Sequence, residues 1–348
     1  MRVPVLHGTR DMRVEDASKP EAGPGEVLLQ VGLCGICGSD LHLYDSDMAP
    51  SGIVMGHEYG GTIVDIGAGV EGWAKGQHVV AGMLEPCNNC WFCRRGESDL
   101  CYQHRRIEAQ RSGTATGAAS LGAGGYGPFV RVMASRLIAV PEALDEQQAA
   151  CVEPAAVGFH AVHKSGLQVG DNVVVLGAGP IGLFTLQCAA IAGASRIVVI
   201  EPSPRRAALA KQLGASAVID PTGVNLNEAV QAELGGLPEV VFDAAGVSAT
   251  LQQAVDLVKP GGHVMMVGVA FDSVPIQPST WVTKRVTVRA AFAYSRRDYV
   301  KTMALMEQGR LLVAPLVSSI VGVDELPATF DRLLTPGTDI KVLVDPHR

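Results

Sequence analysis

Apolar and polar positions follow two different patterns along the chain, and the change comes near residue 170. Before it, short apolar runs alternate with turn residues, as where Gly23-Pro24-Gly25 precedes Val27-Leu28-Leu29-Gln30-Val31. This pattern is typical of short β-strands joined by turns. After it, apolar runs of strand length alternate with longer helical stretches, which predicts a parallel sheet with helices on both faces. The strands predicted for that sheet are residues 173–176, 196–200, 217–220, 240–243 and 263–268.

Residues that typically begin or end helices and strands predict further elements. A helix is predicted for residues 204–213, because Pro204 suits a first helical turn and Gly214 suits a helix end. From about residue 290 the pattern becomes irregular again, with an amphipathic segment at 297–308 and a last strand at 340–344. The 348 residues suffice for two domains. We therefore expect an α/β protein with a doubly wound parallel sheet in residues 153–289 and a mainly-β domain in residues 1–152, to which residues 290–348 return.

Composition restricts the class of function. Hydrophobic residues make up 47% of the chain and charged residues 18%. Neither a membrane-length apolar run nor a signal peptide is visible, so we expect a cytoplasmic protein. The formal net charge of −7 would repel a phosphate backbone, so nucleic acid is not an expected partner. A basic cluster could meet an anionic substrate, although a solvated face explains it more simply. Its members are Arg94, Arg95, Arg105, Arg106 and Arg111.

Four of the eight cysteines lie in one short region, Cys87-Asn88-Asn89-Cys90-Trp91-Phe92-Cys93 followed by Cys101. In a chain without a secretory signal, clustered thiols indicate a metal site rather than disulfides. This spacing allows four thiolates to surround one zinc ion tetrahedrally. Because protein then fills all four positions, the region predicts a structural zinc site that contributes to folding.

A glycine-rich segment joins a predicted buried strand to a predicted helix. Gly177-Ala178-Gly179-Pro180-Ile181-Gly182 directly follows the strand at residues 173–176. In this G-x-G-x-x-G pattern Gly177 permits a tight turn, Gly179 lets backbone N–H groups approach a pyrophosphate, and Gly182 lets the helix pack on the strand. The helix that Pro180 and Ile181 open then directs its N-terminus at the phosphates. Taken alone, the pattern fits a structural glycine turn equally well.

An acidic residue at the end of the next strand favours the dinucleotide site. Glu201 follows Gly182 by nineteen residues, where a carboxylate accepts hydrogen bonds from the adenosine ribose. Because a carboxylate there disfavours a 2′-phosphate, the sequence predicts NAD rather than NADP. Arg205 and Arg206 follow closely and weaken that choice. Arg206 is a candidate cofactor contact, and both arginines are otherwise ordinary members of the polar face of the next helix.

Candidate ligands for a second metal ion are dispersed in the sequence. They occur in Cys37-Gly38-Ser39-Asp40-Leu41-His42, in Gly56-His57-Glu58 and in Glu153-Pro154. Each has a simpler explanation on its own. Cys34 and Cys37 match a redox C-x-x-C, and His57 could be a core histidine with satisfied hydrogen bonds.

Together with the four-cysteine region, the 177–182 loop and Gly125-Tyr126-Gly127 ahead of a strand, these segments resemble the zinc-containing medium-chain alcohol dehydrogenases over essentially the whole chain. The resemblance implies a GroES-like catalytic domain, formed by both ends of the chain, around an inserted Rossmann domain. It also implies that Cys37 and His57 hold a catalytic zinc.

The resemblance leaves the remaining zinc ligands open. At the position of Glu153 the ethanol-oxidising branch has a cysteine, whereas sorbitol, threonine and butanediol dehydrogenases resemble this chain in having Glu-Pro. In that branch Glu58, Glu153 or both coordinate the zinc, directly or through water. The alternative for Glu58 is a carboxylate that only contacts the ligands.

Two polar residues suit the transfer of the substrate's hydroxyl proton to water. They are Ser39, whose hydroxyl can both accept and donate a hydrogen bond, and His42, whose imidazole can carry a proton. Similar enzymes use such a relay. The alternative is that Ser39 only caps a helix opening near Asp40. The stretch 112–127, rich in small residues, is a further hypothesis, namely a mobile flap near the substrate or an interface.

The resemblance implies an NAD-dependent enzyme with two zinc ions per chain, one catalytic and one structural. Its reaction would interconvert a secondary alcohol, diol or polyol with the ketone or aldehyde. A homodimer or homotetramer is expected, in which the strand at 263–268 could pair between subunits. The alternatives are an NADP-linked ketone or aldehyde reductase, a zinc-free reductase of activated double bonds, which the zinc-ligand set disfavours, and a catalytically inactive nucleotide-binding regulatory protein.

Overall fold

The computed structural model describes residues 1–103, 124–335 and 337–348, which form two compact units. Unit 1 comprises Met1–Glu153, Ser295–Gln308 and Val313–Arg348, and unit 2 comprises Pro154–Tyr294 and Gly309–Leu312. Residues 112–123 of the suggested flap lie outside the described residues, as do Arg105, Arg106 and Arg111 of the basic cluster. Among the helices described, none is long and apolar enough to cross a membrane.

The strands of the described residues form three sheets. In chain order the described strands are β1 (Arg2–Gly8), β2 (Asp11–Asp16), β3 (Glu26–Gly35), β4 (Glu58–Ile66), β5 (His78–Ala81), β6 (Phe129–Met133), β7 (Leu137–Ala139), β8 (Asn172–Leu176), β9 (Arg196–Ile200), β10 (Ala217–Ile219), β11 (Val240–Asp243), β12 (His263–Met266), β13 (Thr287–Ala290), β14 (Val317–Gly322) and β15 (Lys341–Asp345). The five strands predicted for the parallel sheet are confirmed as β8 to β12, and the last predicted strand is confirmed as β15.

The helices connect and cover these sheets. In chain order the described α-helices are α1 (Gly38–Tyr44), α2 (Trp91–Arg94), α3 (Glu146–Ser165), α4 (Pro180–Ile191), α5 (Pro204–Gln212), α6 (Leu226–Leu234), α7 (Thr250–Leu257), α8 (Pro278–Lys284), α9 (Arg296–Glu307) and α10 (Leu326–Leu333). The predicted helix at 204–213 and the amphipathic segment at 297–308 are confirmed as α5 and α9.

Helix α3 is the main element that the sequence analysis did not predict. Pro154 lies inside its 20 residues, and a proline lacks the N–H that would bond to the carbonyl four residues earlier, so it usually ends a helix. The helix continues because small apolar side chains on both sides of the proline are fully buried, among them Ala150, Val152 and Ala155. Tertiary packing of this stretch outweighs the local cost of the proline.

Unit 2 is a doubly wound α/β domain. Its six strands run parallel in the order β10-β9-β8-β11-β12-β13. The order reverses between β8 and β11, which opens a crevice at the carboxyl ends of the strands. Strand β12 pairs on both of its sides, with β11 and with β13, so the expectation that residues 263–268 pair between subunits is wrong.

Unit 1 is mainly β, as predicted. Its seven-stranded sheet has the order β14-β15-β3-β4-β5-β7, with β6 paired to β3, while β1 and β2 form a separate ribbon. The register places Gly35, at the end of β3, opposite Glu58 on one side and Leu343 on the other. The end of β3, the start of β4 and the middle of β15 therefore meet at one place. The predicted fold class is thus confirmed for both units.

Candidate metal and cofactor sites

The four-cysteine region brings its sulfur atoms together. The Sγ atoms of Cys87, Cys90, Cys93 and Cys101 all lie within 4.8 Å of one another. Two of the separations are 3.9 Å, from Cys87 to Cys93, and 4.0 Å, from Cys90 to Cys101. A tetrahedral zinc with Zn–S bonds of about 2.3 Å places its sulfurs about 3.8 Å apart. All eight cysteines are free thiols, so the geometry fits a zinc ion.

Backbone N–H groups point at these sulfur atoms and favour the thiolate form, which binds a cation. The N–H of Cys90 points at the Cys87 sulfur at 3.2 Å, and the N–H of Cys87 points at the Cys101 sulfur at 3.4 Å. The backbone N–H of Asn89 contributes most to lowering the pKa of Cys87 to about 6. A thiol that ionises near neutral pH is a ready metal ligand.

A second cluster gathers residues that are far apart in sequence. Ligand atoms of Cys37, His57 and Glu58 lie within 4.8 Å of one another. Cys37 lies two residues after the end of β3 and Glu58 begins β4, so the pairing of these strands brings the two residues together. One thiolate, one imidazole and one carboxylate are a suitable donor set for zinc, and three protein ligands leave a fourth position open.

Asp40 controls the ring of His57. The Nδ1 atom of His57 lies 3.5 Å from Oδ1 of Asp40. The other carboxylate oxygen, Oδ2, accepts hydrogen bonds from the Tyr126 hydroxyl at 2.7 Å and from the Cys37 N–H at 3.1 Å. Burial acts to raise the pKa of Asp40, but His57 and these donors outweigh it and hold the pKa below its usual value. An ionised Asp40 beside Nδ1 leaves Nε2 as the ring nitrogen for a metal ion.

The carboxylate of Glu58 forms an ion pair with a buried lysine, Lys341. Each side chain of this pair is only 1% exposed. The Lys341 ammonium also donates to the Ile36 carbonyl at 2.9 Å. Burial acts to lower the pKa of Lys341, but the Glu58 carboxylate and the Cys37 sulfur outweigh it and the pKa is raised. The ion pair fits here because Gly35 has no side chain. A Cβ at this position would overlap both the Glu58 carboxylate and the Lys341 side chain.

The remaining candidates for the catalytic site are placed as follows. Glu153 is buried on α3 but does not belong to the cluster of Cys37, His57 and Glu58. Ser39 is exposed in the first turn of α1, and His42 lies half-buried three residues later. Cys37 is the N-cap of this helix, so the alternative that Ser39 caps it is wrong.

The geometry does not support the alternative that Cys34 and Cys37 form a redox-active C-x-x-C pair. Cys34 is completely buried in β3, and burial raises the pKa of its thiol well above the usual value. A buried thiol of this kind is unreactive. Cys37, in contrast, is partly accessible and belongs to the ligand cluster.

The glycine-rich loop of unit 2 has the geometry of a phosphate-binding turn. Gly177 has φ +91°, a conformation that favours glycine. A Cβ at Gly182 would overlap the Gly177 carbonyl oxygen, whereas a Cβ at Gly179 would meet nothing within 4 Å. Gly179 is the N-cap of the 12-residue helix α4, and Pro180 and Ile181 form its start. Open space at a helix N-terminus suits an anion such as a pyrophosphate.

Glu201 ties this loop to the end of the neighbouring strand. One carboxylate oxygen accepts the N–H of Ala178 at 2.7 Å, and the other accepts the N–H of Ser203 at 2.8 Å. Each oxygen keeps a lone pair for a further donor, such as a ribose hydroxyl. Of the following arginines on α5, Arg205 is exposed and Arg206 is half-buried.

Sequence reasoning missed three residues that support the metal-ligand cluster. Asp40 carries a recognisable signal, because an acidic residue three positions after a helix N-cap often accepts the cap's N–H. Lys341 carries a weaker one, a single lysine at the start of the apolar run Lys341-Val342-Leu343-Val344. The bond from Tyr126 to Asp40 spans 86 residues and has no local signal.

Comparison with known proteins agrees with this geometry. Residues 23–142 match the family model "Alcohol dehydrogenase GroES-like domain", and residues 180–308 match "Zinc-binding dehydrogenase". The chain is 32% identical to (R,R)-butanediol dehydrogenase of Bacillus subtilis, with 100% of both chains covered. It is 30% identical to a sorbitol dehydrogenase of Bombyx mori, with 98% of this chain and 97% of the relative covered.

A solved structure shows the same fold. A zinc-binding dehydrogenase of Sinorhizobium meliloti 1021, bound to NADP, superposes with a TM-score of 0.87 at 29% identity and covers 99% of each chain. Full-length similarity of this degree confirms the resemblance seen in the sequence. The chain therefore belongs to the zinc-dependent medium-chain alcohol dehydrogenases and is an oxidoreductase that transfers hydride between an alcohol and a nicotinamide cofactor.

Proposed function

We propose that the protein oxidises a secondary alcohol, diol or polyol with NAD to the ketone or aldehyde, in the cytoplasm, and that each chain holds one catalytic and one structural zinc ion. The observation that carries this proposal is the cluster of Cys37, His57 and Glu58, whose ligand atoms lie within 4.8 Å of one another. The diol and polyol dehydrogenases among the relatives support the substrate class.

Each part of the cluster has a chemical task. A zinc ion held by Cys37, His57 and Glu58 would polarise the substrate oxygen while the nicotinamide exchanges the hydride. Glu58 belongs to the ligand cluster and Glu153 does not, so we assign Glu58 as the direct ligand and leave Glu153 to act through water. Ser39 and His42 lie three residues apart on α1 and share a face, which suits the transfer of the hydroxyl proton to water.

We propose NAD as the cofactor because of Glu201. Glu201 is 5% exposed, and its carboxylate accepts the N–H of Ala178 in the glycine-rich loop. A 2′-phosphate beside this carboxylate would bring two negative charges together, whereas the two hydroxyls of an NAD ribose would donate to it. Because the Sinorhizobium relative binds NADP, the kinetics of this protein should be measured with both NAD and NADP.

Glu201→Gln should weaken NAD binding roughly 10- to 100-fold, as expected for losing a hydrogen bond to a charged group. The KM for NADP should fall or stay constant, because the repulsive charge is removed. Steady-state kinetics with both cofactors measures this, with the exposed acidic residue Glu233 changed to Gln as the control. An unchanged ratio of kcat/KM for the two cofactors would contradict the assignment.

We propose that the chain forms a homodimer or homotetramer through the edge of the unit 2 sheet. Within the described residues, β13 pairs only with β12, so its outer edge presents free backbone groups that another strand could pair with. Val282 and Phe292 flank this strand and are 74% and 62% exposed. Sedimentation of the purified protein should give at least twice the mass of one chain, and a monomer would contradict the proposal.

The decisive test measures zinc and turnover together. Wild-type protein should contain two zinc ions per chain and reduce NAD with at least one class of vicinal diol, polyol, secondary alcohol or β-hydroxy acid. Cys37→Ala should retain one zinc and lose turnover. Turnover with NADPH and a ketone alone would favour the alternative reductase. Tight NAD binding without turnover of any substrate would favour a nucleotide-binding regulatory protein.

A further inference from the structure

Tyr126 lies near the cluster of Cys37, His57 and Glu58 but is not one of its members. Its side chain is completely buried, and its hydroxyl donates to Oδ2 of Asp40 at 2.7 Å. Asp40 is also completely buried and faces His57 through its other oxygen at 3.5 Å. The three side chains therefore form a chain of contacts from Tyr126 through Asp40 to His57.

The backbone around Tyr126 is bonded to the segment that leads into His57. The N–H groups of Gly124, Gly125 and Tyr126 donate to the carbonyls of Val54, Gly56 and Met55 at 3.0, 2.8 and 3.1 Å. A Cβ at Gly56 would meet the Tyr126 ring at 2.8 Å. The tyrosine and the histidine are thus placed by one continuous set of backbone bonds, which holds the hydroxyl at a defined position relative to His57.

The hydroxyl determines which way the Asp40 carboxylate turns. Both short contacts to Asp40, from the Tyr126 hydroxyl and from the Cys37 N–H, go to Oδ2, which leaves Oδ1 for His57. Burial and the Asp40 charge raise the pKa of Tyr126 well above its usual value, so the hydroxyl keeps its proton and remains a donor. Without it, the Cys37 N–H would be the one donor left to Oδ2 among the described residues, and the completely buried carboxylate could turn away from His57.

We propose that Tyr126 is a positioning residue for the metal ligand His57, acting through Asp40, and that its hydroxyl sets how firmly the catalytic zinc is held. This inference rests on the proposed function in taking Cys37, His57 and Glu58 as the zinc ligands. Groups that orient a metal-bound histidine generally change metal affinity about 10- to 100-fold when they are removed. An effect of that size separates positioning from simple packing.

The test compares zinc release in two tyrosine variants. Tyr126→Phe should release the catalytic zinc to a chelator at least roughly tenfold faster than wild type, while the structural zinc of the four-cysteine region leaves at the wild-type rate and serves as an internal reference. Tyr44→Phe is the control, because the buried Tyr44 also donates its hydroxyl to a carboxylate, that of the exposed Asp331, at 2.8 Å, and neither residue belongs to a metal-ligand cluster. It should lose some thermal stability without changing the release of either zinc.

A double variant shows whether the effect passes through Asp40. In the Asp40→Asn background, Tyr126→Phe should change zinc release by less than about twofold, because its partner has already been altered. Full additivity of the two changes, or equal release from Tyr126→Phe and wild type, overturns the inference. A protein that holds zinc at Cys37 but oxidises no alcohol overturns the proposed function alone, and a protein that binds no zinc there overturns both.

Discussion

Lys341→Met should lower the free energy of unfolding of the metal-free protein by about 3–5 kcal/mol, the range measured when one partner of a buried ion pair is removed. The methionine keeps the length of the side chain but leaves the Glu58 carboxylate, only 1% exposed, without its cation. At about 2–4 °C per kcal/mol for a domain of this size, the unfolding temperature should fall by roughly 10 °C. Calorimetry of chelator-treated protein measures this.

Two comparisons test the cause of this loss. Adding Glu58→Gln to Lys341→Met should recover most of the stability, because a neutral pair no longer leaves a buried charge. Saturating zinc should also reduce the loss, since the metal offers Glu58 another positive partner. Lys259→Met is the surface control: Lys259 pairs with Glu239 at 2.9 Å, but the side chains are 43% and 24% exposed. Such pairs contribute about 0–1 kcal/mol. A Lys341→Met protein as stable as this control would contradict the prediction.

Cys101→Ser should remove the proposed structural zinc ion and destabilise unit 1. Cys101 is 4% exposed, and its sulfur is one of the four that lie within 4.8 Å of one another. With one ligand missing, the closed tetrahedral site no longer holds its metal firmly, and the folding free energy that comes from metal binding is lost. We expect one zinc per chain by atomic absorption and an unfolding temperature lower by at least several degrees.

The matched control for this change is Cys188→Ala. Cys188 is equally buried, at 3% exposed, but lies on α4 in unit 2, outside both clusters. It should retain two zinc ions per chain. A zinc content in Cys101→Ser equal to that of the wild-type protein would show that the four thiols do not hold a structural metal.

Features contained in one continuous segment were predictable from the sequence alone. The four thiols lie in a 15-residue region, so their spacing already limits how far apart the sulfur atoms can be. The turn at Gly177 and the start of α4 likewise follow from adjacent residues whose backbone requirements are local. The alternation of apolar runs and helices predicted the parallel sheet, because such runs can be buried on both faces only between two layers of helices.

Features that join distant segments were decided by the tertiary structure. The strand register brings Glu58 beside Gly35, and β15 supplies Lys341 to Glu58 across 283 residues. The sequence left Glu58 and Glu153 equivalent, whereas the fold places only Glu58 in the ligand cluster. Pro154 is another case. Local sequence rules predict that a helix ends at this proline, but tertiary packing stabilises a helix that continues through it, so that Pro154 lies inside α3. The sequence by itself determined the strands of the parallel sheet and the candidate ligands. The tertiary structure decided that α3 continues through Pro154 and which of those ligands meet, because burial and strand pairing depend on residues that no local pattern connects.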